Sequence, residues 1–101
     1  EVLVNGQQYI HDTVIHTDCN CDNGLSWIYY VNKRWEDKWG GPTIVEFNGE
    51  SVEILPSPGR IAFFKGNIPH RGAPPNGDHY HGLRATLVYK TMRKNPLPPR
   101  T

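Results

Sequence analysis

The chain has 101 residues, of which 37% are hydrophobic and 21% are charged, a composition typical of one soluble globular domain. Its 11 basic and 10 acidic residues leave a formal net charge of +1, which gives no electrostatic basis for binding nucleic acid or a membrane. No run approaches the roughly 18 apolar residues of a membrane span and no signal-peptide pattern opens the chain, so we expect a cytoplasmic protein.

Short runs rich in Val, Ile, Tyr, Phe and Thr alternate with turn-forming residues along the chain. In chain order, the predicted strands cover residues 2–4, 13–16, 25–32, 43–47, 51–55, 60–64, 69–72 and 83–91. Asn48-Gly49 predicts a two-residue hairpin turn. The segment 33–39 is the one helix candidate, and it is too short for more than a turn. About eight short antiparallel strands predict a mostly-β fold, either a sandwich or a jelly roll.

We assign residues 1–92 to one folded core and residues 93–101 to a proline-rich tail, which we expect to be extended. The chain starts at Glu1 rather than at a methionine, which is compatible with a fragment of a longer protein. Nothing in the sequence indicates an oligomeric state.

His16-Thr17-Asp18 is the motif with the most chemical content. Residues i and i+2 of a strand point to the same face, so His16 and Asp18 can direct an imidazole nitrogen and a carboxylate oxygen at one point. A second histidine from a neighbouring strand would complete a 2-His-1-carboxylate ligand set, which binds non-haem Fe(II) and leaves coordination positions open. The alternative for this pair is a capped turn or a surface hydrogen bond.

Four other histidines compete for the third ligand position. His70 fits best because it begins a new predicted strand of the same β shell. His79 and His81 lie in a loop rich in Pro, Asn and Gly, and His11 stands beside an aspartate, so we expect these three not to bind the metal. The predicted metal ligands are His16, Asp18 and His70.

Arg84 opens the last predicted strand, where a cation is costly to bury unless it is paired. A three-ligand iron centre needs electrons to activate O2, and 2-oxoglutarate is a common source that chelates the metal through its keto-acid end. Its far carboxylate then requires a fixed cation, for which the arginine fork is suited. Tyr30 can add a hydrogen bond from its phenol. The alternatives are an exposed arginine at the strand start and a core tyrosine whose hydroxyl is satisfied elsewhere.

Six segments lie in order between residues 16 and 86, within the stretch of about residues 9–90 that carries the resemblance described next. They are His16-Thr17-Asp18, Ile28-Tyr29-Tyr30-Val31-Asn32-Lys33-Arg34-Trp35, Trp39-Gly40-Gly41, Pro58-Gly59-Arg60-Ile61-Ala62-Phe63-Phe64, Pro69-His70 and Leu83-Arg84-Ala85-Thr86. Together they resemble the prolyl-hydroxylase branch of the Fe(II)/2-oxoglutarate-dependent dioxygenases. The Tyr-Tyr-Val-Asn…Trp…Gly-Gly stretch is similar to that of the hypoxia-factor prolyl hydroxylases and of related bacterial and phage enzymes.

This resemblance implies a double-stranded β-helix, the cupin-like jelly roll, and a dioxygenase that hydroxylates a C–H bond with release of succinate and CO2. A proline in a peptide or protein is the implied substrate. The implied cofactors are Fe(II), 2-oxoglutarate and O2, with ascorbate as a further candidate. The implied iron ligands are His16, Asp18 and His70, and the implied co-substrate residues are Arg84, Tyr30 and Tyr9.

Two departures from the family pattern stand out. His70 and Arg84 are 14 residues apart, wider than the family's usual spacing, because residues 72–82 form a longer loop. The extra length of that loop leaves open the register with which Arg84 enters the last strand. The helices that usually precede the first strand of the core are absent from this sequence.

Two other classes of function stay open. A non-catalytic jelly-roll module that binds a sugar or a peptide would share the strand pattern and the aromatic residues. A cupin-like metal enzyme without 2-oxoglutarate would use the same ligands and leave Arg84 a structural role. The binding module does not require His16, Asp18 and His70 to converge. The cupin-like enzyme requires their convergence but no residue that anchors a co-substrate.

Cys19 and Cys21 are the two cysteines of the chain. At this spacing a disulfide between them would close a very small ring, and the C-x2-C spacing of zinc sites is missing. We therefore expect two reduced thiols in a loop.

Overall fold

The computed structural model describes residues 14–20 and 23–92 in full, together with the backbone of residues 2–7. The described strands, named in chain order, are β1 (Val2–Gln7), β2 (Gly24–Tyr30), β3 (Thr43–Phe47), β4 (Glu50–Ile54), β5 (Ile61–Lys65), β6 (His70–Gly72) and β7 (Arg84–Met92). A single turn of 3-10 helix, Asp37–Trp39, occupies the predicted helix candidate. No helix in these ranges is long and apolar enough to cross a membrane. The predicted tail at residues 93–101 lies outside the described residues.

The strands form two antiparallel sheets, one in the order β1-β7-β2-β5 and the other in the order β4-β3-β6. This arrangement confirms the prediction of a mostly-β, jelly-roll fold. The predicted strand at residues 13–16 is wrong from residue 14 onwards, where it is reduced to a single bridge at His16. The backbone pairs with β6 at that one residue and then bends, so seven strands are seen in the described part of the chain.

The β3–β4 hairpin closes as the sequence predicts. Asn48 and Gly49 both have positive φ, at 52° and 79°, and Phe47 pairs with Glu50 across the turn. Positive φ at both central residues is the requirement of a type I′ turn, which matches the twist of the two strands. This hairpin orders the sheet that carries β6 and therefore His70.

Alternation along β2 and β7 decides which side chains enter the space between the sheets. On β2 the residues Ser26, Ile28 and Tyr30 are buried, and on β7 the residues Arg84 and Thr86 are buried. The apolar core of the described residues is small. Its buried residues are Ile28, Tyr30, Val45 and Ala62, and partly buried neighbours pack against them. The interior is instead rich in polar groups. The buried polar side chains are Ser26, Thr43, His70, Arg84 and Thr86.

Candidate metal centre

His16 and His70 lie directly opposite one another on neighbouring segments of backbone. The N–H of each donates to the carbonyl of the other, at 2.9 Å in both directions. Residues directly opposite in an antiparallel pair carry their side chains on the same face. The two imidazoles are therefore neighbours, with ring centroids 4.4 Å apart.

Both imidazoles are held in the same orientation by a backbone carbonyl two residues earlier in the chain. His16 Nδ1 is 2.9 Å from the oxygen of Val14, and His70 Nδ1 is 3.0 Å from the oxygen of Ile68. A carbonyl oxygen only accepts, so each Nδ1 carries a hydrogen, and Nε2 is the ring nitrogen left to bind a metal ion. Metal-bound histidines commonly have this arrangement, in which the second ring nitrogen donates to a backbone carbonyl.

Asp18 completes the cluster from the bend that follows His16. Its backbone N–H donates to the carbonyl of Gly66 at 2.8 Å, which fixes the residue beside the β5–β6 turn. Its Oδ1 lies 3.6 Å from His16 Nε2, and its Oδ2 lies 3.4 Å from His70 Nε2. The three ligand atoms all lie within 4.8 Å of one another, as they must to share one ion. Two imidazole nitrogens and one carboxylate are a donor set that suits Fe(II).

Two further side chains contact the Asp18 carboxylate, and the sequence analysis missed both. Ser26 donates its hydroxyl to Oδ2, and Lys90 places its Nζ 3.7 Å from Oδ1. Ser26 and Lys90 face each other across the β2–β7 pair. The alternation of these two strands is the signal that would have found them, once the pairing register is known.

Burial lowers the pKa of His70 below its ordinary value, because desolvation disfavours the imidazolium. The hydrogen bond to Ile68 and the charge of Asp18 act in the opposite direction and are smaller effects. His70 is therefore neutral near pH 7. A neutral imidazole is the form that binds a metal ion.

Arg84 is 3% exposed and begins β7, so the alternative of an exposed arginine at the strand start is wrong. Its Nε donates to the carbonyl of Gly41 at 2.6 Å, and its Nη2 donates to the hydroxyl of Thr43 at 2.9 Å. The guanidinium carbon lies 5.7 Å from the ring centre of Tyr30. Burial lowers the pKa of Arg84, and the neighbouring Tyr30 opposes that effect. The result is a buried guanidinium that faces the same interior as the histidines.

Tyr30 is 1% exposed, and its hydroxyl oxygen lies 2.6 Å from the hydroxyl oxygen of Thr43. Burial raises the pKa of Tyr30, so the phenol keeps its proton and remains a potential donor. Thr86 stands opposite Tyr30 on β7, is 2% exposed, and was not among the predicted site residues. Tyr9, the third predicted co-substrate residue, lies outside the described residues.

The site residues of the β2–β7 pair thus lie at two positions along the strands, which we call levels. Ser26 and Lys90 mark the level of the metal donors, and Tyr30 and Thr86 mark the level of the buried guanidinium. The two levels are four residues apart on each strand, which is about 13 Å along the sheet. A metal-chelating molecule with a distal anionic group fits this order of donors and cation.

Comparison with known proteins identifies the family to which the chain belongs. The family model of the 2OG-Fe(II) oxygenase superfamily matches residues 4–89. The chain belongs to this superfamily. Among solved structures, the chain is similar to a prolyl-4-hydroxylase from Pseudomonas putida, with 18% sequence identity and a TM-score of 0.71. The match covers 94% of this chain and 50% of that one, so the chain spans about half the length of its structural relative. No curated protein matches the chain by sequence.

Asn32 fixes the backbone on either side of Arg84. Its Nδ2 donates to the carbonyl of Leu83 at 2.8 Å, and its Oδ1 accepts from the N–H of Ala85 at 2.8 Å. One amide side chain therefore clamps the backbone on both sides of Arg84. The hydroxyl of Tyr80 adds a second donor to the carbonyl of Leu83, at 3.0 Å.

An aromatic cluster of Trp35, Trp39 and Tyr80 holds the long loop before β7. Tyr80 stacks on Trp39 with ring centroids 4.3 Å apart and meets Trp35 edge-on at 5.0 Å. The Trp35 ring nitrogen donates to the carbonyl of Gly40 at 3.0 Å. The loop that widens the spacing between His70 and Arg84 is thus packed against the segment before β3.

The remaining predictions concern residues away from the cluster. The exposed side chains of His79 and His81 lie in the loop before β7, outside the group of possible metal ligands, and His11 lies outside the described residues. Cys19 is disulfide-bonded, so the prediction of a reduced thiol there is wrong. The backbone bends at Asp18 and Asn20, on either side of Cys19. Cys21 lies outside the described residues.

Proposed function

We propose that this chain is an Fe(II)- and 2-oxoglutarate-dependent dioxygenase that hydroxylates a C–H bond of a peptidyl proline. The observation that carries the proposal is the convergence of His16, Asp18 and His70 in an interior that also buries Arg84. Either feature alone occurs in many proteins. Their combination in a chain of the 2OG-Fe(II) oxygenase superfamily is what supports the assignment.

The donor set fits the metal. His16 and His70 would each offer Nε2, and Asp18 would offer one carboxylate oxygen, while Ser26 holds the other oxygen in place. When bound with 2-oxoglutarate, Fe(II) supplies the oxidising chemistry for hydroxylation, with succinate and CO2 as products. The protein's own contribution is to fix the ligand orientation and to favour the neutral form of the His70 imidazole by burial.

Arg84, Tyr30 and Thr86 would hold the far carboxylate of 2-oxoglutarate. The guanidinium supplies a permanent charge and a donor geometry that matches a carboxylate. The Tyr30 phenol, kept protonated by burial, can donate a further hydrogen bond. Gly41 and Thr43 fix the guanidinium before the co-substrate arrives, which reduces the entropic cost of binding.

A proline residue in a peptide or protein is the substrate that we propose. The prolyl-hydroxylase motifs of the sequence and the fold of the Pseudomonas putida prolyl-4-hydroxylase support it. The exposed side chain of His16, at 49%, leaves the metal donors reachable from solvent, as a polymeric substrate requires.

The test is an anaerobic titration of the protein with Fe(II) and 2-oxoglutarate, followed by visible absorption. A weak charge-transfer band should appear only when both are present, and His16→Ala should abolish it. His79→Ala, at an exposed histidine outside the cluster, is the matched control and should keep the band. A wild-type protein without the band, or a His16→Ala variant that retains it, would contradict the proposal.

A further inference from the structure

The two oxygens of the Asp18 carboxylate lie at similar distances from the two imidazoles. Oδ1 is 3.6 Å from His16 Nε2, and Oδ2 is 3.4 Å from His70 Nε2. By distance alone, an ion between the histidines could therefore bind either oxygen or both. Each oxygen that binds uses one coordination position of the ion, so the number of bound oxygens decides how many positions stay open for other ligands.

A hydrogen bond from Ser26 makes these two oxygens unequal. The Ser26 hydroxyl donates to Oδ2, and Ser26 is 1% exposed, so bulk water does not compete for the bond. A hydrogen bond to an ionised carboxylate is one of the stronger kinds, and it draws electron density from the oxygen that accepts it. The contact of Lys90 with Oδ1 is longer, at 3.7 Å, which exceeds the length of a hydrogen bond. Oδ2 is thereby the poorer metal donor and Oδ1 the better one.

Backbone pairing fixes both partners of this hydrogen bond. Ser26 lies in β2, between two neighbouring strands, where it is paired with Phe64 of β5 and with Lys90 of β7. The backbone N–H of Asp18 donates to the carbonyl of Gly66 at 2.8 Å. With both backbones held, the remaining freedom of Asp18 lies in the rotation of its side chain. The Ser26 hydroxyl restricts that rotation.

We propose that Ser26 is a positioning residue that restricts Asp18 to one metal-bound oxygen, Oδ1, and so keeps open the coordination position that Oδ2 would otherwise occupy. This inference rests on the proposed function, since it takes Asp18 as a ligand of Fe(II). A molecule that chelates the ion needs two neighbouring positions, whereas a ligand with a single metal-bound atom needs one. Ser26 would therefore favour a chelating co-substrate without contacting it.

The experiment compares 2-oxoglutarate with glutarate, which has the same chain length and both carboxylates but no keto oxygen to complete the chelate. Dissociation constants for both are measured by calorimetry at saturating Mn(II) and without O2. We call the constant for glutarate divided by that for 2-oxoglutarate the chelate preference. Ser26→Ala should lower the chelate preference at least about tenfold, the lower end of the effect that hydrogen bonds to metal ligands usually have on a metal site. Ser26→Thr keeps the hydroxyl and should retain the wild-type value.

Ser51→Ala is the matched control. It also removes a serine hydroxyl that donates to a carboxylate, since Ser51 Oγ lies 2.7 Å from Oε1 of Glu46 on the exposed surface. This variant should keep the wild-type chelate preference. A substitution at position 26 that only disturbs the fold weakens the binding of both ligands alike. An unchanged chelate preference in folded Ser26→Ala would therefore overturn the role of Ser26.

A measurement on the wild type tests the inference even where a variant does not fold. Infrared difference spectra between metal-free and Mn(II)-loaded protein show the carboxylate stretching bands that move on metal binding. Binding through one oxygen widens the separation of the antisymmetric and symmetric bands, which is the expected result. A narrowed separation indicates two bound oxygens and would overturn the inference. The charge-transfer titration is run on the same samples. Its failure counts against the proposed function, whereas a normal band with an unchanged chelate preference in Ser26→Ala counts against the role of Ser26 alone.

Discussion

The Nε–H of Arg84 donates a 2.6 Å hydrogen bond to the carbonyl of Gly41, and little space remains there for a larger residue. A Cβ on Gly41 would lie 3.1 Å from Cδ of Arg84 and 3.3 Å from Cζ2 of Trp35. Gly41 also has a φ of +67°, a conformation that L side chains rarely adopt. A larger residue at position 41 would therefore strain its own backbone and push against the side chains of Arg84 and Trp35.

Gly41→Ala should weaken co-substrate binding as well as folding. The strained φ should cost about 1–2 kcal/mol of unfolding free energy, and displacement of Arg84 should raise the KM for 2-oxoglutarate several-fold. Urea unfolding and 2-oxoglutarate kinetics measure the two effects separately. Gly59→Ala is the matched control, because Gly59 has a φ of +78° but nothing within 4 Å of the added Cβ. Equal KM values in the two variants would show that Gly41 has no role beyond backbone strain.

Sequence patterns predicted the fold class, and the H-x-D motif together with His70 predicted the three side chains that form the cluster. Alternating apolar residues and the Asn48-Gly49 turn specify strands and a hairpin. The predicted strand before Asp18 failed for a non-local reason, since His16 is placed by one bridge to His70 and Asp18 by the carbonyl of Gly66. Local preference cannot show such pairings.

The residues that the sequence did not reveal have the same explanation. Ser26 and Lys90 meet at Asp18 only because β2 and β7 pair in one particular register. A shift of one residue would turn both side chains to the outer face of the sheet. Likewise, Asn32 joins the site through backbone groups of residues 83 and 85, which carry no side-chain signal.

Asn32→Ala should make the position of the Arg84 side chain less fixed, although Arg84 itself is not substituted. The substitution removes two hydrogen bonds that flank the arginine, which should cost about 1–3 kcal/mol of unfolding free energy. We expect the KM for 2-oxoglutarate to rise more than kcat falls, since the displaced group is the one that we propose binds the co-substrate. Asn32→Asp keeps the acceptor for the Ala85 N–H and loses the donor to Leu83, so its effect should be intermediate. Asn76→Ala, in the exposed loop, serves as the control, and a KM shift of equal size there would contradict the clamp.

Tyr30→Phe should distinguish the contribution of the Tyr30 hydroxyl from that of its ring. Loss of the hydrogen bond with Thr43 should lower the unfolding free energy by about 1 kcal/mol and raise the KM for 2-oxoglutarate. Tyr29→Phe removes the same atom from the neighbouring residue, which faces the outer side of β2. If both variants bind 2-oxoglutarate like the wild type, the Tyr30 hydroxyl does not contact the co-substrate.

The stability of the metal-free protein should depend on pH through His70. Burial lowers the pKa of His70 in the folded chain below the 6.5 of an unperturbed histidine, so the unfolded chain takes up this proton first as the pH falls. The unfolded state then binds more protons than the folded state, so a decrease in pH favours unfolding. His70 makes its full contribution to stability above about pH 6.5. This contribution is lost as the pH decreases towards the pKa of His70 in the folded chain. Urea unfolding in the presence of a chelator between about pH 5 and pH 8 measures this slope. His70→Gln should flatten the dependence of unfolding free energy on pH, whereas the control His79→Ala should leave it unchanged. The same dependence in His70→Gln as in the wild type would assign it to other groups.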